Sequence, residues 1–362
     1  MEGLPVEPTL SNRLATPSLS LVVWPRLLIG WIVLICAEVF SGASLKIGLW
    51  NPWTLLVTYW LYFGHFFFLT TLAVRTGRTS FWALYLWGVL YGLYESWITK
   101  VIWSGYDANG KFALGQIGPY GFSELSMVFL FHPIMSFILP LAVACVICPP
   151  LRRLFPDLAW FNGRTKGARI CQTYLVFGLA PIVGMNSGGP LNLGLNLAFV
   201  AVLLLILKRL ARRGLAAENP RPIVGAGNRG LAALGVYLAV LYGLTYAFLR
   251  PEQRPPVGVQ LFTFVFYALA LVGLGLLPPR NAAPASGSGV EPRERKLVVS
   301  VCALVLGLGF VLSFVGAVGV LFPLVIVSFV LWTPLGFLLF ALALAKSVKE
   351  GLTDPAVLPG SN

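Results

Sequence analysis

Charge is what this sequence has least of. Asp, Glu, Lys and Arg together make up 11% of its 362 residues, against about 25% in soluble globular proteins. A water-soluble fold of this length needs a polar shell, and the side chains for one are missing. The mean hydropathy of +0.82 points the same way. Hydrocarbon offers no partner to a backbone N–H or C=O, so open sheets are excluded there. The apolar runs are about 20 residues long and do not alternate, which excludes a β-barrel in favour of helices.

Other shortages exclude other classes. There are three aspartates, Asp107, Asp157 and Asp354, too few for the Asp-rich motifs of membrane isoprenoid transferases. No H-E-x-x-H is present, and the segment after Glu38 reads Val-Phe-Ser-Gly rather than the E-E-x-x-x-R of CAAX-type intramembrane proteases. The five cysteines, Cys36, Cys145, Cys148, Cys171 and Cys302, lie in or at the ends of apolar runs, so no disulfide framework is implied. Cys145 and Cys148 form a C-x-x-C, but without a thioredoxin-like setting it reads as apolar packing. Met1 to Ser18 is polar and contains proline, and the apolar run from Leu19 to Ser44 is too long for a signal peptide. It reads as a first membrane span.

What is present is a series of apolar runs, at roughly 22–44, 54–74, 80–103, 123–147, 170–186, 191–208, 230–249, 258–277, 297–318 and 322–345. The expectation is an all-α, polytopic transmembrane helix bundle of about ten spans. The net charge of +13 sits in the short loops, which implies topology rather than nucleic-acid binding. With a cytoplasmic N-terminus, only Lys46, Lys100, Lys111, Arg250 and Arg254 of the 26 basic residues fall outside. The positive-inside rule therefore places both termini in the cytoplasm, and the Pro/Gly content with the lack of targeting signals points to a bacterial plasma membrane. The chain divides into an N-terminal membrane half (1–208), a basic linker (209–229), a hairpin (230–278), a Pro/Ala/Ser/Gly linker (279–296) and a C-terminal hairpin with a short tail (297–362).

The functional signal lies in the first four runs. Glu38, His65, Glu95 and His132 each occupy one, and they include both histidines of the chain. Ionisable groups at that depth cost roughly 2.5–3.5 kcal/mol on insertion scales, so they face protein or water. At about 1.5 Å per residue all four fall between mid-membrane and the outer boundary. Small and polar residues share their helical faces: Gly88 and Gly92 with Glu95, Tyr62 with His65, Glu124 and Ser136 with His132. Gly88 and Gly92 form a GxxxG pair that admits a neighbouring helix.

Two carboxylates and two imidazoles suit general acid–base catalysis, and His65, His132 and Glu95 are the candidate ligands of a divalent metal such as zinc. Lys46, Lys100 and Glu124 are candidate substrate contacts near the outer surface. Three functions fit these residues. The first is a membrane-embedded enzyme acting on a lipid, lipid-linked or small-molecule substrate. The second is a proton- or ion-coupled transporter, and the third is an assembly subunit whose polar pairs only hold helices together. Membrane lipid is the partner common to all three.

Overall fold

The computed structural model describes residues 19–40, 51–104, 116–118, 120–121, 124–125, 127–158, 165–186, 188–212, 220–280, 292–316 and 322–353. The chain is an all-α membrane bundle. Its helices are α1 (Leu19–Leu34), α2 (Tyr59–Arg75), α3 (Phe81–Gly92), α4 (Tyr94–Trp97), α5 (Val101–Ser104), α6 (Leu139–Ile147) and α7 (Lys166–Asn186). They continue with α8 (Pro190–Arg212), α9 (Arg221–Val224), α10 (Asn228–Phe248), α11 (Val257–Leu276), α12 (Pro292–Gly316) and α13 (Phe322–Thr353). The described strands are two residues each, β1 (Gln116–Ile117) and β2 (Tyr120–Gly121), paired antiparallel.

Seven helical stretches among the described residues are long and apolar enough to cross a membrane: Val22–Val39, Thr54–Arg75, Met127–Ile147, Pro190–Arg212, Arg221–Phe248, Val257–Leu276 and Val330–Thr353. The fifth and ninth expected spans are helical as α7 and α12, each opening on charged residues. The third departs from a single continuous span. It is broken into α3, α4 and α5, first at Leu93 and again at Lys100, whose φ of +64° is left-handed.

The first four spans form the centre. Of the apolar window in Met127–Ile147, 83% is buried, against 6% in Arg221–Phe248. Every residue from Ala83 to Gly92 is buried, so α3 is enclosed by protein on all sides. On α10 and α11, Val236, Phe248, Leu261 and Val272 are exposed, which suits a surface solvated by lipid tails.

Lipid is as apolar as leucine, so these helices associate through close contact. Glycine supplies it at two seams. A Cβ on Gly88 would stand 2.5 Å from Pro133 Cα, and one on Gly92 would stand 2.9 Å from His132 Cβ. The GxxxG pair thus seats the segment that carries His132. Between α7 and α12, Gly184 faces Leu312 and the Gly309 carbonyl, and Gly309 faces Val183.

Loops assigned to the same side by charge meet one another. Arg26 donates to the carbonyls of Pro222 and Gly225, and Arg75 to that of Ala226. Arg280 donates its backbone N–H to Gly77 and pairs with Asp157, whose other oxygen caps α3 at Phe81 N. At the opposite end Tyr120 bonds Val259, and Tyr246 bonds Gln260.

Candidate functional site

Three departures from regular α-helix surround the site. Residues Ile35–Val39, which end the first span, are π-helical, as are Thr54–Thr58 at the start of the second and Met127–Ile138 in the fourth. Bonding from i to i+5 widens a turn and re-aims the side chains on it, and such turns recur at functional sites. Pro133 lies inside the last of them and has no N–H to give. The Phe129 carbonyl in the same stretch accepts from the Tyr85 hydroxyl at 2.6 Å.

These irregular segments bring three of the four ionisable residues into one hydrogen-bonded chain. Tyr62 on α2 donates to Glu38 Oε1. The Tyr94 hydroxyl lies 2.6 Å from that of Tyr62 and 3.5 Å from Glu95 Oε1, so its single proton can serve either neighbour. Glu95 Oε1 stands 2.8 Å from His132 Nε2, and His132 Nδ1 stands 3.1 Å from Ser136 Oγ. With the proton on Nε2 directed at the carboxylate, Nδ1 accepts from the serine.

His65 adjoins this chain without joining it. Its ring packs 5.6 Å from Tyr94 and 6.1 Å from Tyr91. Nδ1 donates to the Leu61 carbonyl at 2.8 Å, because a carbonyl only accepts. Nε2 therefore accepts from Tyr242 of α10 at 3.0 Å. Both ring nitrogens are in use. Among the described residues no three His, Cys, Asp or Glu side chains are arranged to hold a metal ion. The expected ligands His65, His132 and Glu95 do not form such a group. Glu95 and His132 are paired with each other, and His65 is turned toward its own helix and α10.

The centre also holds polar atoms that nothing claims. Glu95 Oε2, Ser96 Oγ and Tyr91 OH are buried with no hydrogen-bond partner among the described residues. Tyr91 packs 6.1 Å from the His132 ring and 6.0 Å from the Tyr94 ring. Buried polar atoms are nearly always satisfied, so the orphan atoms of Glu95 and Tyr91, both residues lying against His132, mark a place for water or a ligand.

The remaining candidates divide. Glu124 is half-buried and close enough to Glu95 for their charges to interact. Lys100 is fully buried instead of lying free at the outer surface. Its Nζ donates to the carbonyls of Thr245 and Leu249, 2.9 and 2.5 Å away, and so caps α10. A cation at a helix C-terminus meets the negative end of the dipole. Lys46 and Lys111 lie outside the described residues. Cys145 and Cys148 are buried and carry no disulfide.

The tyrosines are what sequence reasoning missed. Tyr62 was legible only as a neighbour of His65 on its helical face. Tyr91, Tyr94 and Tyr242 were not singled out, although the run Tyr91-Gly-Leu-Tyr94-Glu95 places two phenols beside the carboxylate.

The family described as "Uncharacterized membrane protein family" matches residues 27–356, and the chain belongs to it. A relative from Archaeoglobus fulgidus, called "Uncharacterized protein", is 28% identical over 322 residues, covering 88% of this chain and 97% of that relative. No solved structure matches the chain. The family match takes in the whole of the site.

Proposed function

We propose that this integral membrane protein is an enzyme acting on a lipid or lipid-linked substrate, with Glu95 and His132 as its acid–base pair. One observation carries the reading. The 2.8 Å pair is enclosed in the bundle, with Glu95 Oε2 unclaimed among the described residues and the ring of Tyr91, whose hydroxyl is likewise unclaimed, 6.1 Å from that of His132. Glu95 takes a proton on Oε2 from a substrate hydroxyl or a water and returns it to a leaving group, while His132 donates its Nε2–H to Oε1 and holds the carboxylate in place. Tyr91 supplies a hydroxyl donor for a developing negative charge. Ser136 fixes the other face of the imidazole. The setting is a prokaryotic plasma membrane, bacterial on the sequence reading and compatible with an archaeal relative.

The test uses the protein in nanodiscs made from the polar lipids of its host. Lipid masses are followed over time for the wild type, Glu95→Gln and His132→Asn. A mass change made by the wild type and absent from both variants supports the enzyme. No change in any sample removes it.

A second reading rests on the chain of groups itself. Glu38, Tyr62, Tyr94, Glu95, His132 and Ser136 are linked in series, an arrangement that passes protons. A proton-coupled carrier would acidify proteoliposomes under an imposed potential and would lose that flux in Tyr62→Phe. If both lipid turnover and flux are absent while the variants lose thermal stability, the pairs serve only assembly.

A further inference from the structure

A second site lies away from this centre, at the end of the bundle where the basic loops meet. A cleft of about 290 Å3 opens between α2 and α10. Phe63 and Phe67 form one wall and Leu234 the other, with Ala226, Gly230 and Ala233 leaving the space between them. Gly230 and Ala233 are exposed, so the slot opens on the surface that faces lipid tails. Arg26 of α1 also lines it.

The arginine sets the chemistry. Its Nε and Nη2 donate to the Pro222 carbonyl at 2.9 and 2.6 Å, and Nη2 also reaches the Gly225 carbonyl. This fixes the guanidinium plane and leaves Nη1 without a hydrogen bond among the described residues. None of the residues lining the cleft is acidic. Arg75 adds a second cation next to it, through its bond to the Ala226 carbonyl. An apolar slot open to the bilayer, with a held cation in its lining at headgroup level, matches a molecule with an acyl chain and an anionic head. Basic pockets between helices on the positively charged side of membrane proteins bind such lipids.

We propose that the Arg26 cleft is a binding site for one anionic phospholipid, its phosphate on Arg26 and one acyl chain along Phe63, Phe67 and Leu234. The inference stands apart from the Glu95–His132 reading, because none of the residues is shared.

The experiment is native mass spectrometry of the delipidated full-length protein. It is titrated with phosphatidylglycerol or phosphatidylcholine of identical chains. A single ionic contact near the membrane surface implies retention of the anionic lipid about fivefold above the zwitterionic one. Arg26→Gln should remove the preference and leave residual binding of both. Ala233→Leu fills the slot from its exposed side and should lower retention of both lipids with unchanged thermal stability. Since Arg26 also holds the turn at Pro222, Ala233→Leu decides the matter if the arginine variant does not fold. Equal retention of the two lipids by the wild type, or full retention by Ala233→Leu, overturns the proposal. So does displacement of the lipid by millimolar inorganic phosphate, which would indicate an ion site without a chain slot.

Discussion

Glu95 and His132 meet at 2.8 Å although each is carried by a segment that breaks the regular helix. Glu95 belongs to a four-residue turn beyond the break at Leu93, and His132 to a π-helical stretch. Their side chains are 13% and 4% exposed, so neither has water to replace the other. Glu95→Gln keeps a hydrogen-bond acceptor and loses the charge. If the pair is catalytic, turnover of the lipid substrate should fall by about 100-fold or more, with a much smaller change in melting temperature. A variant as active as the wild type would leave the pair a purely structural one.

The seam between α3 and the fourth span tolerates no extra atom. Gly88→Ala puts a methyl 2.5 Å from Pro133 Cα, a backbone atom that cannot turn away. Overpacking of this kind costs about 1–3 kcal/mol. The melting temperature in detergent should drop, and Gly92→Ala should in addition displace His132 and reduce activity beyond its effect on stability. Variants as stable as the wild type would mean that the helices are further apart than described.

Lys100 combines a cap with a strained backbone. Lys100→Ala removes the bonds to Thr245 and Leu249 and keeps the left-handed φ of +64°. Lys100→Gly removes the same bonds but relieves roughly 1–2 kcal/mol of backbone cost. Thermal unfolding should therefore rank wild type above Lys100→Gly, and Lys100→Gly above Lys100→Ala. Coincident curves for the two variants would deny the strain any part.

The His65–Tyr242 contact fixes a tautomer. Nitrogen NMR of labelled histidine should show the His65 proton on Nδ1. Tyr242→Phe leaves Nε2 buried without a donor, which costs about 1–3 kcal/mol, and should loosen α10 from α2. The readout is faster amide exchange in residues 228–248, with little change elsewhere.

Elemental analysis of the purified protein should find no stoichiometric transition metal, and chelator should leave its melting temperature unchanged. The reason is donor geometry, since His65 turns both nitrogens away from the Glu95–His132 pair. A near-stoichiometric metal that is lost in His65→Ala would reverse the tautomer argument as well.

The bundle was readable because hydrophobic run length and loop charge are summed over many residues. The loops assigned to one side by Arg26, Arg75, Arg78, Arg221 and Arg280 do meet there. Three of the four residues that the sequence puts at one level, Glu38, Glu95 and His132, fall into one chain of bonds. What escaped was local backbone. The break at Leu93 has no proline or glycine at its centre, and π-helical turns leave no mark in hydrophobic periodicity. The phenols escaped because Tyr62, Tyr91 and Tyr94 in a membrane helix look like any other aromatic packing. Lys100 was expected near the outer surface because it stands close to the end of the third span, whereas its partners are carbonyls nearly 150 residues further along the chain.

The π-helical stretch from Met127 to Ile138 makes the site sensitive to counting rather than to chemistry. Each π turn accommodates an additional residue within an α-helix. Removing one residue between the two ends, even an interchangeable apolar one such as Leu130, would let the segment relax to the ordinary pitch. The turns beyond the segment would keep their register, while the side chains inside it, His132 among them, would be re-aimed. A shortened chain would keep its hydropathy, charge and span number, yet His132 would face away from Glu95. Homologous chains that keep the Glu95–His132 pair should therefore hold the length of this segment constant while its apolar side chains drift.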